Sequence, residues 1–377
     1  MKLALSDNGA HLRFAPLSLT RPLGNLRVGI LTTDERWKLY FPEAQIGYIT
    51  EPYLSAKYPA IKEVDVCINA LVIPTDDIVK AIRSLNQNQS LFVGDTWIAR
   101  SGDGSGEQLF FQGDIPVILT VRWDLFLSNE RVIESDFQLI TSGRKSQPIS
   151  STNTIIGDPS KVFVEEGAVV EGAMLNTTHG SIYIGKEAEV MEGSLIRGPF
   201  ALCEYAAVKM GGKMYGGTTI GPYCKVGGEV SNSIFYAYSN KGHDGFVGNS
   251  LIGEWCNLGA DTNTSNLKNN YGKVSTYSFE AEKEIQTDVQ FMGLTMGDHS
   301  KCGINTMFNT AAVVGVSVNI FGSGFPSKFI PSFSWGGAEG IVPYRFEKAT
   351  EYANAMMQRR NQLLSTAEIE VLRHIHG

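Results

Sequence analysis

From Ile184 onward an apolar residue returns every six positions: Ile184, Val190, Ile196, Leu202, Val208, Met214, Ile220 and Val226. Four positions after each stand Ala188, Ser194, Phe200, Ala206, Gly212, Thr218, Cys224 and Val230, most of them small. A helix of 3.6 residues per turn cannot hold a six-step register over that length. The period predicts a triangular solenoid. Each six-residue unit gives one flat strand and one turn, three units close a coil, and stacked coils share a core. The apolar residue points inward and the small one fits the corner. Val164 and Val170 keep the spacing upstream. Ile252 and Leu258 resume it downstream, followed by Met296, Cys302, Phe308, Val314 and Ile320. Residues 176–180, 231–249 and 266–289 interrupt the register and are expected to be loops. Loops of that length in a regular solenoid are usually functional.

No six-step register exists in residues 1–150. Residues 2–5 read as a short apolar strand, followed by the turn signal Asp7-Asn8-Gly9. Residues 66–73 read as a buried strand, and 91–93 and 117–121 as further strands. Residues 75–85 read as a helix with Thr75 or Asp76 at its N-cap. Alternating strands and helices predict an α/β domain. Residues 123–126 and 129–137 read as helical. After Pro331 the repeat ends, and residues 344–376 have a helical period with Tyr344, Ala349, Tyr352, Ala353 and Met356 on one face. A terminal helix is expected to cap the open end of the solenoid. The expected organisation is an α/β domain over 1–150, an all-β solenoid over 151–335 and a helical tail over 336–377.

Composition narrows the function classes. Forty glycines without a triplet period suit a fold made of many tight turns. A net charge of −7 and the lack of a Lys/Arg block argue against nucleic acid as a partner. Any anionic ligand must therefore be held by local groups. Cys67, Cys203, Cys224, Cys256 and Cys302 are odd in number and far apart, which argues against a disulfide framework or zinc site. Residues 1–8 are too short and polar for a signal peptide. No run of eighteen apolar residues exists, so no membrane span is expected. A soluble cytoplasmic protein is the expectation.

Residues 9–26, GAHLRFAPLSLTRPLGNL, resemble the opening of sugar-1-phosphate nucleotidyltransferases. There a glycine-rich loop and basic residues hold a nucleoside triphosphate. The resemblance implies nucleotide contacts at Arg13 and Arg21. Phe92-Val93-Gly94-Asp95-Thr96 resembles the strand end that carries the magnesium-binding Asp, which implies Mg²⁺ at Asp95. The sequence departs from that family in two places. The glycine-rich run is reduced to Gly9, and Leu23 stands where an activating Lys is usual.

Making an amide from an amine and a thioester needs a base, a stabilised oxyanion and two substrates held in line. The stretch GHDGFVGNSLIGEWCNLGADTNTSNLKNNYGKV resembles the acetyltransferase half of the bifunctional GlmU family. That family joins N-acetylglucosamine-1-phosphate uridyltransferase to glucosamine-1-phosphate acetyltransferase. The resemblance implies a left-handed parallel β-helix, acetyl-CoA as cosubstrate and a homotrimer. It places His243 on the catalytic base, and Asn257, Asn266 and Lys273 on substrate contacts. Phe246 and Leu267 replace tyrosines, and Leu202 replaces an arginine. A phosphate-clamping lysine has no clean counterpart; Lys209, Lys225 and Lys241 are the lysines able to take its place. Ala311 and Ala312 are candidates for meeting the coenzyme A carbonyl through a backbone N–H, and Lys328 is a weaker cofactor contact. His299 reads as a solvated turn.

The function so implied is acetyl-CoA-dependent N-acetylation of an amino-sugar phosphate. It is coupled to nucleotidyl transfer using a nucleoside triphosphate and Mg²⁺. The alternatives are nucleotidyl transfer alone, with the solenoid serving assembly, or a non-catalytic sugar-nucleotide-binding scaffold.

Overall fold

The computed structural model describes residues 1–377, which divide into two compact units. The first comprises Met1–Arg27 and Leu31–Asp124. Its sheet places Lys2–Ser6 between Gln45–Ile49 and Val66–Asn69, all parallel. Thr96–Ser101 joins antiparallel to Val66–Asn69, and Ser90–Val93 and Gln108–Phe110 complete the edge. Leu3, Ala4 and Leu5 are buried on both faces of the central strand, as a near-continuous apolar run requires. Helix Asp76–Arg83 is capped by Thr75, whose hydroxyl accepts from the Ile78 N–H. The strand expected at 117–121 is only one isolated bridge, Val72 to Ile118.

The second unit comprises Val28–Ile30 and Leu125–Gly377, so the division falls before helix Asp124–Thr141 and not at residue 150. Buried polar ties explain this. Asn129 accepts from the Gly29 N–H at 2.7 Å and donates to the Gly217 carbonyl at 2.7 Å. Asp136 accepts from the Ile30 N–H at 2.8 Å. Such groups are costly to leave unpaired, so they hold the helix to the solenoid.

The solenoid is a parallel β-helix of three faces. The first face begins at Thr154–Ile156 and ends its main sheet at Phe246–Gly248. The second, nine strands deep, runs from Val162–Val164 to Phe329–Ile330. The third runs from Val169–Val170 to Ser334–Gly337, with the antiparallel strand Gly340–Pro343 added at its end. The inward column of the second face is Val164, Ile184, Leu202, Ile220, Phe235, Ile252, Met296, Val314 and Ile330, in unbroken register. All nine are buried, which is the continuous core the six-step period predicts.

Residues 231–249 are not a loop. They contain Ile234–Phe235, Asn240–Lys241 and the strand Phe246–Gly248, all in the sheets. The coil shortens on either side, with inward residues at Val230, Phe235, Lys241, Val247 and Ile252. An inward lysine and two steps of five hide the register from a six-residue reading. Residues 266–289 are a true insertion carrying the antiparallel hairpin Ser275–Ser278 and Lys283–Gln286.

Between the second and third faces each corner residue has positive φ. Tyr205, Tyr223, Tyr238 and Trp255 occupy it in successive coils, at φ between 54° and 61°. That conformation is strained for bulky side chains. Here the rings stack with centroids 4.8, 4.9 and 4.1 Å apart, and this contact helps offset the strain.

The tail forms helices Phe346–Gln358 and Thr366–His376. It does not simply cap the open end. Phe346 packs on Phe333 and Tyr344 on Trp335 at the last coil. The far end reaches back several coils, where Arg360 donates to the Tyr223 carbonyl at 3.3 Å and Gln362 to the Tyr238 hydroxyl at 3.1 Å. The apolar side Ala349, Ala353 and Met357 is buried.

Candidate active site

Parallel in-register pairing places like positions of successive coils side by side. On the third face this aligns Lys225 with Asn240, Asn240 with Asn257, and Asn257 with Lys301. Alternation along each strand turns these four outward, because their neighbours Val226, Lys241, Leu258 and Cys302 are buried. Tyr238 and Trp255 of the aromatic corner stand on one side of the column. Gly242, His243 and Gly259 follow it on the other. Helix Phe346–Gln358 crosses above with Ala355 and Met356, and Arg359 and Arg360 continue from its end. The cavity between them is open to solvent on one side and about 840 Å³ in volume.

Five cations, Lys209, Lys225, Lys301, Arg359 and Arg360, line this cavity together with His243, and no carboxylate does. Burial, and then the charges of Arg360, Lys209 and Arg359, hold the Lys225 ammonium below the usual lysine range. Burial also lowers Lys301, whose Nζ donates to the His299 carbonyl at 3.0 Å.

The loop carrying His243 is shaped from within. Lys241 is fully buried, and its Nζ donates to the carbonyls of His243 and Asp244 at 2.5 and 2.8 Å. Burial pushes this ammonium down to about 8, against the opposing pull of Asp244 and Asp261. Gly245 closes the loop at φ +113°, and a Cβ there would lie 2.2 Å from the Thr262 carbonyl oxygen. The His243 ring is exposed at the cavity.

Of the residues singled out in the sequence, His243, Asn257, Lys209 and Lys225 share this cavity. Lys241 does not, because its inward register position takes the ammonium into the solenoid interior. Asn266 is elsewhere, its amide donating to Asn249 Oδ1 at 2.8 Å. Lys273 is exposed on the insertion. Ala311 and Ala312 are buried, and their N–H groups are already spent on Met292 and Asn309 carbonyls at 2.8 and 3.2 Å. Neither is therefore free to meet a coenzyme carbonyl. Lys328 ties down the insertion hairpin, with Nζ 3.0 Å from Ser275 Oγ and 3.5 Å from Glu284. His299 is a half-buried corner residue and not a solvated turn. Lys301, Arg359 and Arg360 were not legible as site residues. Only the six-step register could have pointed to Lys301, one position before Cys302.

In the first unit, Arg13 is exposed on the turn His11–Phe14, whereas Arg21 is buried. Asp95 is exposed in the tight turn joining the antiparallel strands Ser90–Val93 and Thr96–Ser101. The strand before it, Ser90–Val93, pairs parallel with Gln108–Phe110 on its other side, and no group of three His, Cys, Asp or Glu side chains is placed to hold a metal. Mg²⁺ is usually held by one or two carboxylates together with substrate phosphates and water, so a metal at Asp95 would depend on a bound nucleotide. The buried carboxylate here is Asp7, which accepts from His11 Nδ1 at 2.8 Å, Thr50 Oγ1 at 2.6 Å and the Leu23 N–H at 2.8 Å. It organises residues 8–26 as a folded loop.

Residues 3–145 match the sugar nucleotidyl transferase family model. The bifunctional protein GlmU of Methanocaldococcus jannaschii is 30% identical over 138 residues, which is 36% of this chain and 28% of that protein. An uncharacterised acetyltransferase of Escherichia coli, YaiX, is 22% identical over 154 residues, covering 40% of this chain and 66% of that one. Among solved structures, the polysialic-acid-specific acetyltransferase NeuO matches 52% of this chain and 87% of its own, at 14% identity and a TM-score of 0.29. The chain thus spans about a quarter of the archaeal relative and about two thirds of the bacterial one. Its sequence is thus similar to GlmU proteins and, at lower identity, to an acetyltransferase. No helix is long and apolar enough to cross a membrane.

Proposed function

We propose that the third-face cavity transfers an acetyl group from acetyl-CoA to the amine of an amino-sugar phosphate. His243 is the general base. It removes the proton from the attacking amine, the nitrogen bonds to the thioester carbonyl carbon, and the C–S bond breaks to release coenzyme A. Asn257 offers an amide to the acceptor's hydroxyl groups. The observation that carries this reading is the meeting of His243 and Asn257 with a carboxylate-free set of cations in one cavity. Thiol release from acetyl-CoA with a panel of hexosamine phosphates tests it. Failure with every acceptor, at a protein concentration that sustains assembly, overturns it.

The match of residues 3–145 favours a second role, recognition of a sugar nucleotide by the first unit. Magnesium-dependent transfer there would use Asp95 together with the phosphates of a bound nucleoside triphosphate. UDP-sugar binding to the full chain and to Arg13→Gln, an exposed change in the first unit alone, separates the two roles. A homotrimer in the cytoplasm is the assembly we propose, with the first face as its contact.

A further inference from the structure

We infer that Lys209, Lys225, Arg359 and Arg360 form a site for one phosphate ester group, the acceptor's, and that the C-terminal tail supplies half of its charge. The identification of the acceptor rests on the acetyl-transfer reading; the existence of the phosphate site does not.

The chain carries a net charge of −7, yet this cavity collects five cations and no carboxylate. Like charges gathered this closely raise the free energy of the empty site, and an anion lowers it. Lys209, Lys225, Arg359 and Arg360 all line this one cavity, and the charges of Arg360, Lys209 and Arg359 lower the Lys225 ammonium more than Glu189 raises it. The end of a helix favours basic residues through its dipole, and that alone would explain Arg359 and Arg360. It does not explain why two lysines from separate coils of the solenoid line the same cavity. Lys225 also has Asn240 beside it in register, a neutral donor that adds to an anion site without cancelling its charge.

The tail is held in this position. Met357 is buried, the Arg360 guanidinium is fixed by the Tyr223 carbonyl, and Gln362 by Tyr238. Phosphate is the anion that suits such a set, because two arginines and two lysines present more donors than one carboxylate can accept. Its position favours the acceptor over the coenzyme. The cations share one cavity with His243, whereas the pantetheine arm of coenzyme A separates its thioester from its phosphates by a long chain.

The test uses the full chain and three probes: inorganic phosphate, a hexosamine phosphate and acetyl-CoA, the last compared with its 3′-dephospho form. Calorimetric binding is measured for the parent, Lys209→Gln and the double variant Arg359→Gln/Arg360→Gln. Loss of one charged hydrogen-bond donor should weaken hexosamine phosphate binding by about ten-fold or more. The unphosphorylated hexosamine should lose nothing further, and acetyl-CoA affinity should hold. Lys209→Gln leaves the tail intact, so it decides the matter if the double variant melts early. Unchanged hexosamine phosphate affinity in Lys209→Gln overturns the site. Selective loss of acetyl-CoA binding, largest against the 3′-dephospho form, overturns its assignment to the acceptor. A parent that binds the hexosamine phosphate and never acetylates it retains the phosphate site while the acetyl-transfer reading fails.

Discussion

Lys241 Nζ lies 2.5 Å from the carbonyl oxygen of His243, reaching it from inside the solenoid. A lysine thus replaces the apolar residue that neighbouring coils place at this position, Val226 before it and Leu258 after it. It anchors the loop that presents His243 without itself reaching the cavity.

This anchor has a pH signature. Burial depresses the Lys241 ammonium to about 8, against an ordinary lysine value near 10.4 in the unfolded chain. Below about pH 8 both states are protonated, and the cost of burying the charge is fully present. Between about 8 and 10.4 the unfolded chain holds the proton and the folded chain releases it, so this group makes stability rise with pH. Chemical denaturation at pH 7 and pH 9.5 should show that rise in the parent. Lys241→Met should lack this contribution. Equal pH dependence in both proteins would remove the assignment.

His243→Ala should lower acetyl transfer by roughly 10²–10⁴, the range for loss of a general base. The ring is exposed and belongs to no apolar stack, so the melting temperature should stay near the parent's. A variant with the parental rate would show that His243 is not the base.

Gly245→Ala should destabilise the second unit by about 1–3 kcal/mol, because it combines a disfavoured φ with a backbone clash at Thr262. The same change should reduce acetyl transfer, since it displaces the turn two residues after His243. Thermal melting and thiol release report the two effects separately. A stable, fully active Gly245→Ala would contradict this account of the loop.

Ile156, Met174, Leu195 and Tyr215 are exposed on the first face. They stand with Asn176, Arg197 and Lys213 between them, and exposed apolar residues clustered with a few polar ones suit a contact between copies of the chain. Leu195→Lys should therefore shift the proposed homotrimer toward monomer in sedimentation at micromolar concentration. A parent chain that is monomeric there would already refute the assembly.

Much of the solenoid was legible because its period is a local property. Ile184 to Val226 repeats one residue class at one spacing, and only a parallel coil satisfies that spacing over such a length. The coil containing Lys241 was not legible, because a charge at an inward position reads as a break. Its ammonium is satisfied by carbonyls that come near only after the turn has formed. Ala311 and Ala312 failed as candidates for a related reason. Small residues mark a corner in the sequence, but whether their N–H groups are spent is known only from the neighbouring coil.

The sequence by itself determined the repeat, the presence of a non-repeating α/β segment before it, and the identity of His243 and Asn257 as residues to watch. Each follows from spacing or motif, which neighbouring residues carry in the chain. Tertiary structure alone decided that Arg359 and Arg360 share a cavity with Lys209 and Lys225. More than a hundred positions separate the two pairs, and no local pattern encodes their meeting. It follows from the tail folding back along the third face, where Ala349, Ala353 and Met357 bury their apolar side.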